Sequence, residues 1–101
     1  MHLIQILLPV YDNHGKAFPR EHYERVKAEL SARFSGLTAY VHSPAEGIWT
    51  KGKATQREDI VVFEVMAPKV DRKWWRHYRA DLEQRFRQET VVIRRQSITL
   101  L

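Results

Sequence analysis

A repeat of 52 residues constrains the fold of this chain more than any other feature of its sequence. The segment Ala28–Phe34 (AELSARF) matches Ala80–Phe86 (ADLEQRF) at that offset. The same offset aligns three further pairs, namely Tyr23 with Trp75, Val26 with Tyr78, and Thr38 with Thr90. In both copies the apolar residues recur at spacings of three, four and four, as they do along one face of an α-helix. With a strand expected at the same distance after each helix, the repeat predicts a duplicated βαβ unit.

Alternating apolar residues, many of them β-branched, predict four strands around the two helices. The strands are expected at residues 2–11, 37–42, 59–67 and 90–95, with residues 96–101 extending the last strand or pairing elsewhere. Pro19 suits the first turn of the first helix, and Asp71 is expected to cap the second. Gly36 stands where a left-handed residue would close the first helix.

This order predicts an α+β fold of ferredoxin-like type (βαββαβ), with a four-stranded antiparallel sheet and two helices on one of its faces. The chain length allows a single domain, residues 1–101. Because successive side chains of a strand point to opposite faces, each strand divides into two sets. The set predicted to face the helices has no charged residue: Ile4, Ile6, Leu8, Val10, Leu37, Ala39, Val41, Val61, Phe63, Val65, Val91 and Ile93. The other set, called the open face below, is Leu3, Gln5, Leu7, Tyr11, Thr38, Tyr40, His42, Ile60, Val62, Glu64, Met66, Thr90, Val92 and Arg94.

The open face is rich in large apolar residues, and the sequence predicts no third helix to cover it. Apolar surfaces of this kind rarely stay in contact with water. We therefore expect a homodimer whose two sheets pack face to face, as in dimeric α+β barrels. Polar residues set among the apolar ones would line a cavity for a small ligand, with Tyr11, Tyr40, His42, Glu64 and Arg94 as the candidates. The alternative is an interface in which these polar groups satisfy one another and no ligand binds.

His42 is the candidate for a catalytic role. It is predicted at the end of the second strand, beside Tyr40 and near Glu64 on the neighbouring strand. A histidine paired with a carboxylate can transfer protons near neutral pH, so one alternative function is a cofactor-free oxygenase or isomerase. A histidine that is hydrogen-bonded within an interface, with no catalytic role, fits the same pattern.

Two further ligand-binding candidates, Trp49 and Arg57, lie in the polar connection of residues 43–58. A short hairpin turned at residues 51–53 would bring them together as a flap over the open face. Packing of Trp49 against the domain or the partner subunit is the alternative, because a tryptophan in a polar segment needs an apolar neighbour.

The composition excludes several chemistries. The chain has no cysteine, so it has no disulfide, no catalytic thiolate and no sulfur-ligated metal. The four glycines are isolated from one another and the five histidines form no His-x-x-x-His pair, so we expect neither a cofactor nor a metal. We also expect no membrane partner and a cytoplasmic location, because there is no secretory leader and no apolar run long enough to span a bilayer.

The net charge of +5 raises the question of a polyanionic partner. Five basic residues are predicted on the outward side of the second helix: Arg72, Lys73, Arg76, His77 and Arg87. A solvated basic surface is favoured, and binding of a nucleic acid or an acidic partner through this helix is the alternative. The third strand lacks the exposed aromatics on which RNA-recognition sheets stack bases.

Four sequence blocks also suggest a family resemblance. They are residues 33–38 (RFSGLT), residues 47–49 (GIW), residues 57–59 (RED) leading into residues 61–62, and residues 85–91 (RFRQETV). Over residues 20–94 the chain resembles a family of short bacterial proteins of unknown function. Some of those relatives look like secreted lipoproteins, and this sequence has no such leader. The resemblance implies the fold, implies no activity, and places Gly47, Trp49, Arg57 and Glu58 in the shared pattern.

Overall fold

The computed structural model describes residues 1–42 and 59–101, and the predicted α+β class is confirmed for them. Six elements follow one another: β1 (His2–Pro9), α1 (Arg20–Arg33), β2 (Gly36–His42), β3 (Ile60–Ala67), α2 (Arg72–Arg85) and β4 (Val92–Ser97). The two helices begin and end 52 residues apart, so the sequence repeat sets the bounds of both. The segment that holds Trp49 and Arg57 lies outside the described residues.

The four described strands form one antiparallel sheet in the order β2-β3-β1-β4. Each βαβ unit is therefore split, because a strand of the other half lies between its own two strands. This order is compatible with the ferredoxin-like arrangement predicted from the sequence. It leaves β2 and β4 at the edges of the sheet, and β4 pairs with β1 alone among the described strands.

The core lies between the sheet and the helices, and most of the strand residues predicted to face the helices belong to it or pack against it, whereas Ala39 of the edge strand β2 is exposed. Ile4, Ile6 and Leu8 are at most 2% exposed, and their partners across the β1–β3 ladder are Val65, Phe63 and Val61. The helices contribute the predicted stripes, of which Val26, Leu30, Trp75, Tyr78, Leu82 and Phe86 are buried. Burial of these side chains is the main source of stability of the fold.

Aromatic contacts at both ends of the helix pair show that the helices run antiparallel. Phe86, at the end of α2, packs against Phe18 and Tyr23 at the start of α1, with ring centroids 5.1 and 5.5 Å away. At the opposite end, Phe34 stacks on Trp75 near the start of α2, at 5.4 Å. The rings therefore fix how the two halves are packed together.

Three local expectations need correction. Gly36 is not a left-handed residue: it begins β2, and α1 ends at an extended Phe34 (φ −123°). The left-handed residue instead follows α2, where Arg87 has φ 51°. The two strands after the helices are also not equidistant, because β2 begins at Gly36 whereas β4 begins at Val92, not at the predicted Thr90. A longer connection precedes β4, and Glu83 holds it by accepting a hydrogen bond from the Val91 amide at 3.0 Å.

Candidate functional site

One polar row crosses the open face. The strand register aligns Thr38 of β2, Glu64 of β3, Gln5 of β1 and Arg94 of β4. Gln5 connects the two charged residues: its Nε2 donates to Glu64 Oε2 at 2.6 Å, and its Oε1 accepts from Arg94 Nε at 2.7 Å. The predicted candidates Glu64 and Arg94 therefore do share one site, joined by a glutamine that the sequence analysis did not single out.

Apolar residues flank this row on both sides. The next row includes Leu3 and Met66, and the row on the other side includes Leu7, Val62 and Val92. Met66 is 40% exposed and Val92 47% exposed, whereas Val62 is 4% exposed. The two helices of the fold lie on the opposite face of the sheet, so neither of them covers this face.

The register corrects one predicted contact. His42 pairs with Ile60, which precedes Glu64 by four residues, or about 13 Å along β3. Thr38, not His42, lies opposite Glu64, so the expected proximity of His42 and Glu64 is wrong. Proton transfer by His42 stays a prediction, and it would require a partner other than Glu64.

The remaining candidates are placed less fully. Tyr40 and His42 belong to β2, opposite Val62 and Ile60, and only their backbone is described. Tyr11 lies beyond the end of β1 in a single bridge with Ala17 and is half-buried. Trp49 and Arg57, and the flap they would form, lie outside the described residues.

A cleft of about 440 Å³ lies between α2 and β4 and is lined by five arginines, and we call it the arginine cleft. These are Arg72, Arg76 and Arg79 of α2, and Arg94 and Arg95 of β4. The apolar part of its lining is Ile4, Val70, Trp75 and Ile93. No acidic residue of the described chain lines this cleft.

A second cleft, of about 500 Å³, lies between α1, β2 and β3, and we call it the α1 cleft. Its charged residues are of both signs: Arg20, Glu24, Lys27 and Asp59. The rest of its lining is apolar and includes Phe18, Tyr23 and Phe63. Arg20 and Glu24 form an ion pair with Nε and Oε1 3.4 Å apart, so this cleft is internally neutralised.

The ion pairs of the described residues are distributed unevenly around these clefts. Arg20, Arg25, Arg33 and Arg85 each lie within 4 Å of a carboxylate. Among the arginines of the arginine cleft, only Arg79 has a carboxylate of the described residues within this distance, with its Nε 3.9 Å from Glu83 Oε2. Of the basic residues predicted on α2, Arg72 and Arg76 line the cleft, while Lys73 and His77 lie beside Trp74 in a separate small pocket.

A separate polar cluster joins the two helices. Both Arg85 terminal nitrogens donate to the Glu29 carboxylate at 2.7 Å, and the Tyr78 hydroxyl donates to it at 3.0 Å. Partial burial alone would raise the pKa of Glu29, but the hydrogen bonds from Arg85 and Tyr78 outweigh it and lower this pKa. Burial, followed by the neighbouring Glu29 charge, raises the pKa of Tyr78. Because these groups form hydrogen bonds with one another, we interpret the cluster as a structural link between the helices.

Within residues 1–42 and 59–101, no three His, Asp or Glu side chains are grouped as metal ligands would be. Neither of the helices described has the length and apolar character needed to cross a membrane.

Comparison with known proteins found no matching family model, no matching curated protein and no matching solved structure. The βαββαβ layout is confirmed by the structure itself. The resemblance to a bacterial family gains no support from these comparisons and stays a prediction.

The site residues predicted from the sequence do not include Gln5, Arg79 or Arg95. Gln5 is an unremarkable polar residue until the register places it between Glu64 and Arg94. A signal for the arginine cleft was present in the repeat, because the offset of 52 aligns Glu24 with Arg76. That comparison shows a reversal of charge at equivalent helix positions.

Proposed function

We propose that the chain forms a homodimer through the open face and binds a small apolar or aromatic ligand between the two sheets. The observation that supports this proposal is the row arrangement of the open face: a linked polar row flanked on both sides by apolar residues, of which Met66 and Val92 are exposed. Val92 and Met66, both at least 40% exposed, are the residues that gain most from being covered. The quaternary form of this proposal is a dimeric α+β barrel.

The polar row suits both parts of the proposal. Gln5 already forms hydrogen bonds with Glu64 and with Arg94 across three strands, so covering this row leaves fewer hydrogen-bonding groups without a partner. Small-molecule sites combine a mostly apolar lining with a few directed polar groups, and this face offers that combination. A ligand between two copies would meet apolar side chains and two such polar rows.

The first test is the molar mass in solution, measured by light scattering behind a sizing column. The expected result is twice the chain mass of 12.0 kDa. Val92→Lys should shift the mass to that of a monomer, because a dimer would bury the new charge between the sheets. Ala28→Lys adds the same charge at an exposed position of α1 and should leave the dimer intact. A wild-type monomer, or equal masses for both variants, contradicts the proposed interface.

The ligand is tested separately with Nile red, a neutral aromatic dye whose fluorescence rises in apolar surroundings. The dimer should bind the dye, and Tyr40→Ala or His42→Ala should weaken binding without changing the mass. If both alanine variants bind the dye as the wild type does, the open face acts as an interface alone. Loss of an enzymatic turnover in His42→Ala, with the fold preserved, would instead support the alternative of a cofactor-free enzyme.

A further inference from the structure

We propose that the arginine cleft is a binding site for a small anion that carries two or more phosphoryl groups. This site lies on the helix side of the sheet edge, and of its lining residues Arg94 alone also belongs to the open face. Four arginines supply its positive charge: Arg72, Arg76 and Arg79 on the α2 wall and Arg95 on the β4 wall. Arg94 also lines the cleft, but its Nε is bonded to Gln5 of the polar row.

The arrangement of the arginines follows from the helix. Arg72, Arg76 and Arg79 are spaced four and three residues apart, which places them on one side of α2 over about 10 Å of its length. Arg95 lines the same cleft from the edge strand, and its Nη1 lies 3.4 Å from His2 Nδ1. The cleft volume of about 440 Å³ is within the range of small-molecule sites.

The cleft concentrates the charge of the protein. Helix α2 carries five Arg or Lys and two acidic residues, and β4 carries two arginines and no acidic residue, which gives a net +5 for the two elements. That equals the net charge of the whole chain, so the rest of the sequence is neutral overall. Like charges one turn apart destabilise a helix, and a bound anion would remove that repulsion.

The repeat shows that the fold does not require this charge. The offset of 52 aligns Arg20 with Arg72, Glu24 with Arg76, and Lys27 with Arg79. In the α1 cleft the residues at these positions include an ion pair, between Arg20 and Glu24. In the arginine cleft Arg72 and Arg76 have no carboxylate within 4 Å among the described residues. The same helix position therefore carries opposite charge in two otherwise similar clefts.

The chemistry of the side chains favours phosphoryl groups. Every basic residue that lines the cleft is an arginine, and the planar guanidinium can donate two parallel hydrogen bonds to a phosphate. Guanidiniums on both walls suit several anionic groups better than one. A single-stranded nucleic acid would need exposed aromatic rings for base stacking, but Trp75, the aromatic residue of this cleft, is 7% exposed. A compact polyphosphate fits the described lining better.

The test is isothermal titration calorimetry of the full chain with inorganic tripolyphosphate, with orthophosphate as the single-phosphate comparison. Tripolyphosphate should bind with one site per chain and more tightly than orthophosphate. Arg76→Glu should weaken this binding roughly ten- to hundredfold, because a charged hydrogen-bond donor is replaced by a repelling carboxylate. Lys27→Glu makes the same change of charge at an exposed position in the α1 cleft and should change the affinity by less than about threefold.

A second variant, Arg95→Gln, removes a guanidinium from the strand wall without altering the helix and should weaken binding about tenfold. Circular dichroism of each variant confirms that the fold is retained. Equal weakening by Arg76→Glu and Lys27→Glu would overturn the site, because it would show a response to net charge alone. Binding of a ten-residue thymidine oligonucleotide with no binding of tripolyphosphate would overturn the ligand class in favour of a nucleic acid.

Discussion

The two halves of this protein share their backbone arrangement and their buried helix residues, but the clefts beside their helices differ in charge. Helices α1 and α2 share their bounds at an offset of 52, and each buries its stripe against the same face of the sheet. Beside each helix lies a cleft, but the charges in the α1 cleft are of both signs, whereas those in the arginine cleft are all positive. The repeated residues therefore build the fold, and the residues that depart from the repeat determine the charge of the clefts.

A physical reason separates these two classes of residue. A buried stripe residue contacts many neighbours, so a change there creates a cavity or a clash. A residue on the rim of a cleft is solvated, and a change of its charge alters the stability of the fold only slightly. Position 76 could therefore depart from its counterpart at position 24 while positions 30 and 82 remained leucine.

The largest expected effect tests the equivalence of the two stripes. Phe86→Ala should lower the free energy of unfolding by about 3–5 kcal/mol, because Phe86 is fully buried among Phe18 and Tyr23. Its counterpart Phe34 is only half-buried, so Phe34→Ala should lower it by about 1–2 kcal/mol. Urea unfolding followed by circular dichroism measures both. Equal losses of unfolding free energy in the two variants would show that the two helix ends are packed alike, which would contradict the difference expected between Phe86 and Phe34.

The next effect concerns the link between the helices. Glu29→Gln should lower the free energy of unfolding by about 1–2 kcal/mol, because Arg85, whose side chain is 13% exposed, loses its two-pronged carboxylate partner. The equivalent residue of the second half is Asp81, which also contacts Arg85 but is 50% exposed. Asp81→Asn should cost less than about 0.5 kcal/mol.

Acidification provides the control for this prediction. Because the pKa of Glu29 is lower in the folded protein than the usual 4.5, its contribution is present above that pH and is lost as the pH falls through the folded pKa. The wild type should therefore lose more stability than Glu29→Gln between pH 5.5 and about pH 3 in urea unfolding. A parallel loss in both proteins would assign the acid sensitivity to other carboxylates.

A smaller effect is expected where the first half alone makes a hydrogen bond. The Tyr23 hydroxyl donates to the Pro9 carbonyl at 2.5 Å, at the end of β1. Tyr23→Phe should lower the free energy of unfolding by about 1 kcal/mol. Burial raises the pKa of Tyr23 to about 12, so its stabilisation is present below pH 10 and is lost as the pH rises towards 12. Absorbance at 295 nm should show that Tyr23→Phe removes a late-titrating tyrosine; removal of one that titrates near pH 10 would contradict the burial.

The smallest effect has the opposite sign. Arg76→Glu should raise the free energy of unfolding of the ligand-free protein by about 0.5 kcal/mol, because it relieves repulsion from Arg72 and Arg79 and restores the pairing that Glu24 makes in α1. Thermal unfolding at low ionic strength is the measurement. The converse change, Glu24→Arg, should destabilise the protein by a similar amount. A loss of stability in Arg76→Glu would mean that the arginine supports the fold.

Much of the fold was predictable because local patterns and core packing agree here. The 3.6-residue period gave both helix stripes, and Asp71 was correctly expected as a cap, since it accepts a hydrogen bond from the Trp74 amide at 3.1 Å. The strand period predicted both faces of the sheet, and most of the helix-facing set lies in the core or packs against it. The errors fall at the ends of elements, at Gly36 and Thr90, where the two connections differ in length and no period constrains them.

The helices, their bounds relative to each other and the division of the strands into two faces follow from local patterns, because these depend on neighbours within one element. The adjacency of the strands depends on the packing of the whole domain, and with it the contacts by which Gln5 joins Glu64 to Arg94 and the pairing of Thr38, not His42, with Glu64. That packing also brings Arg95 of the edge strand opposite the arginines of α2. These contacts join residues distant along the chain, and the packing of the core against both helices, not any local preference, sets the register that creates them.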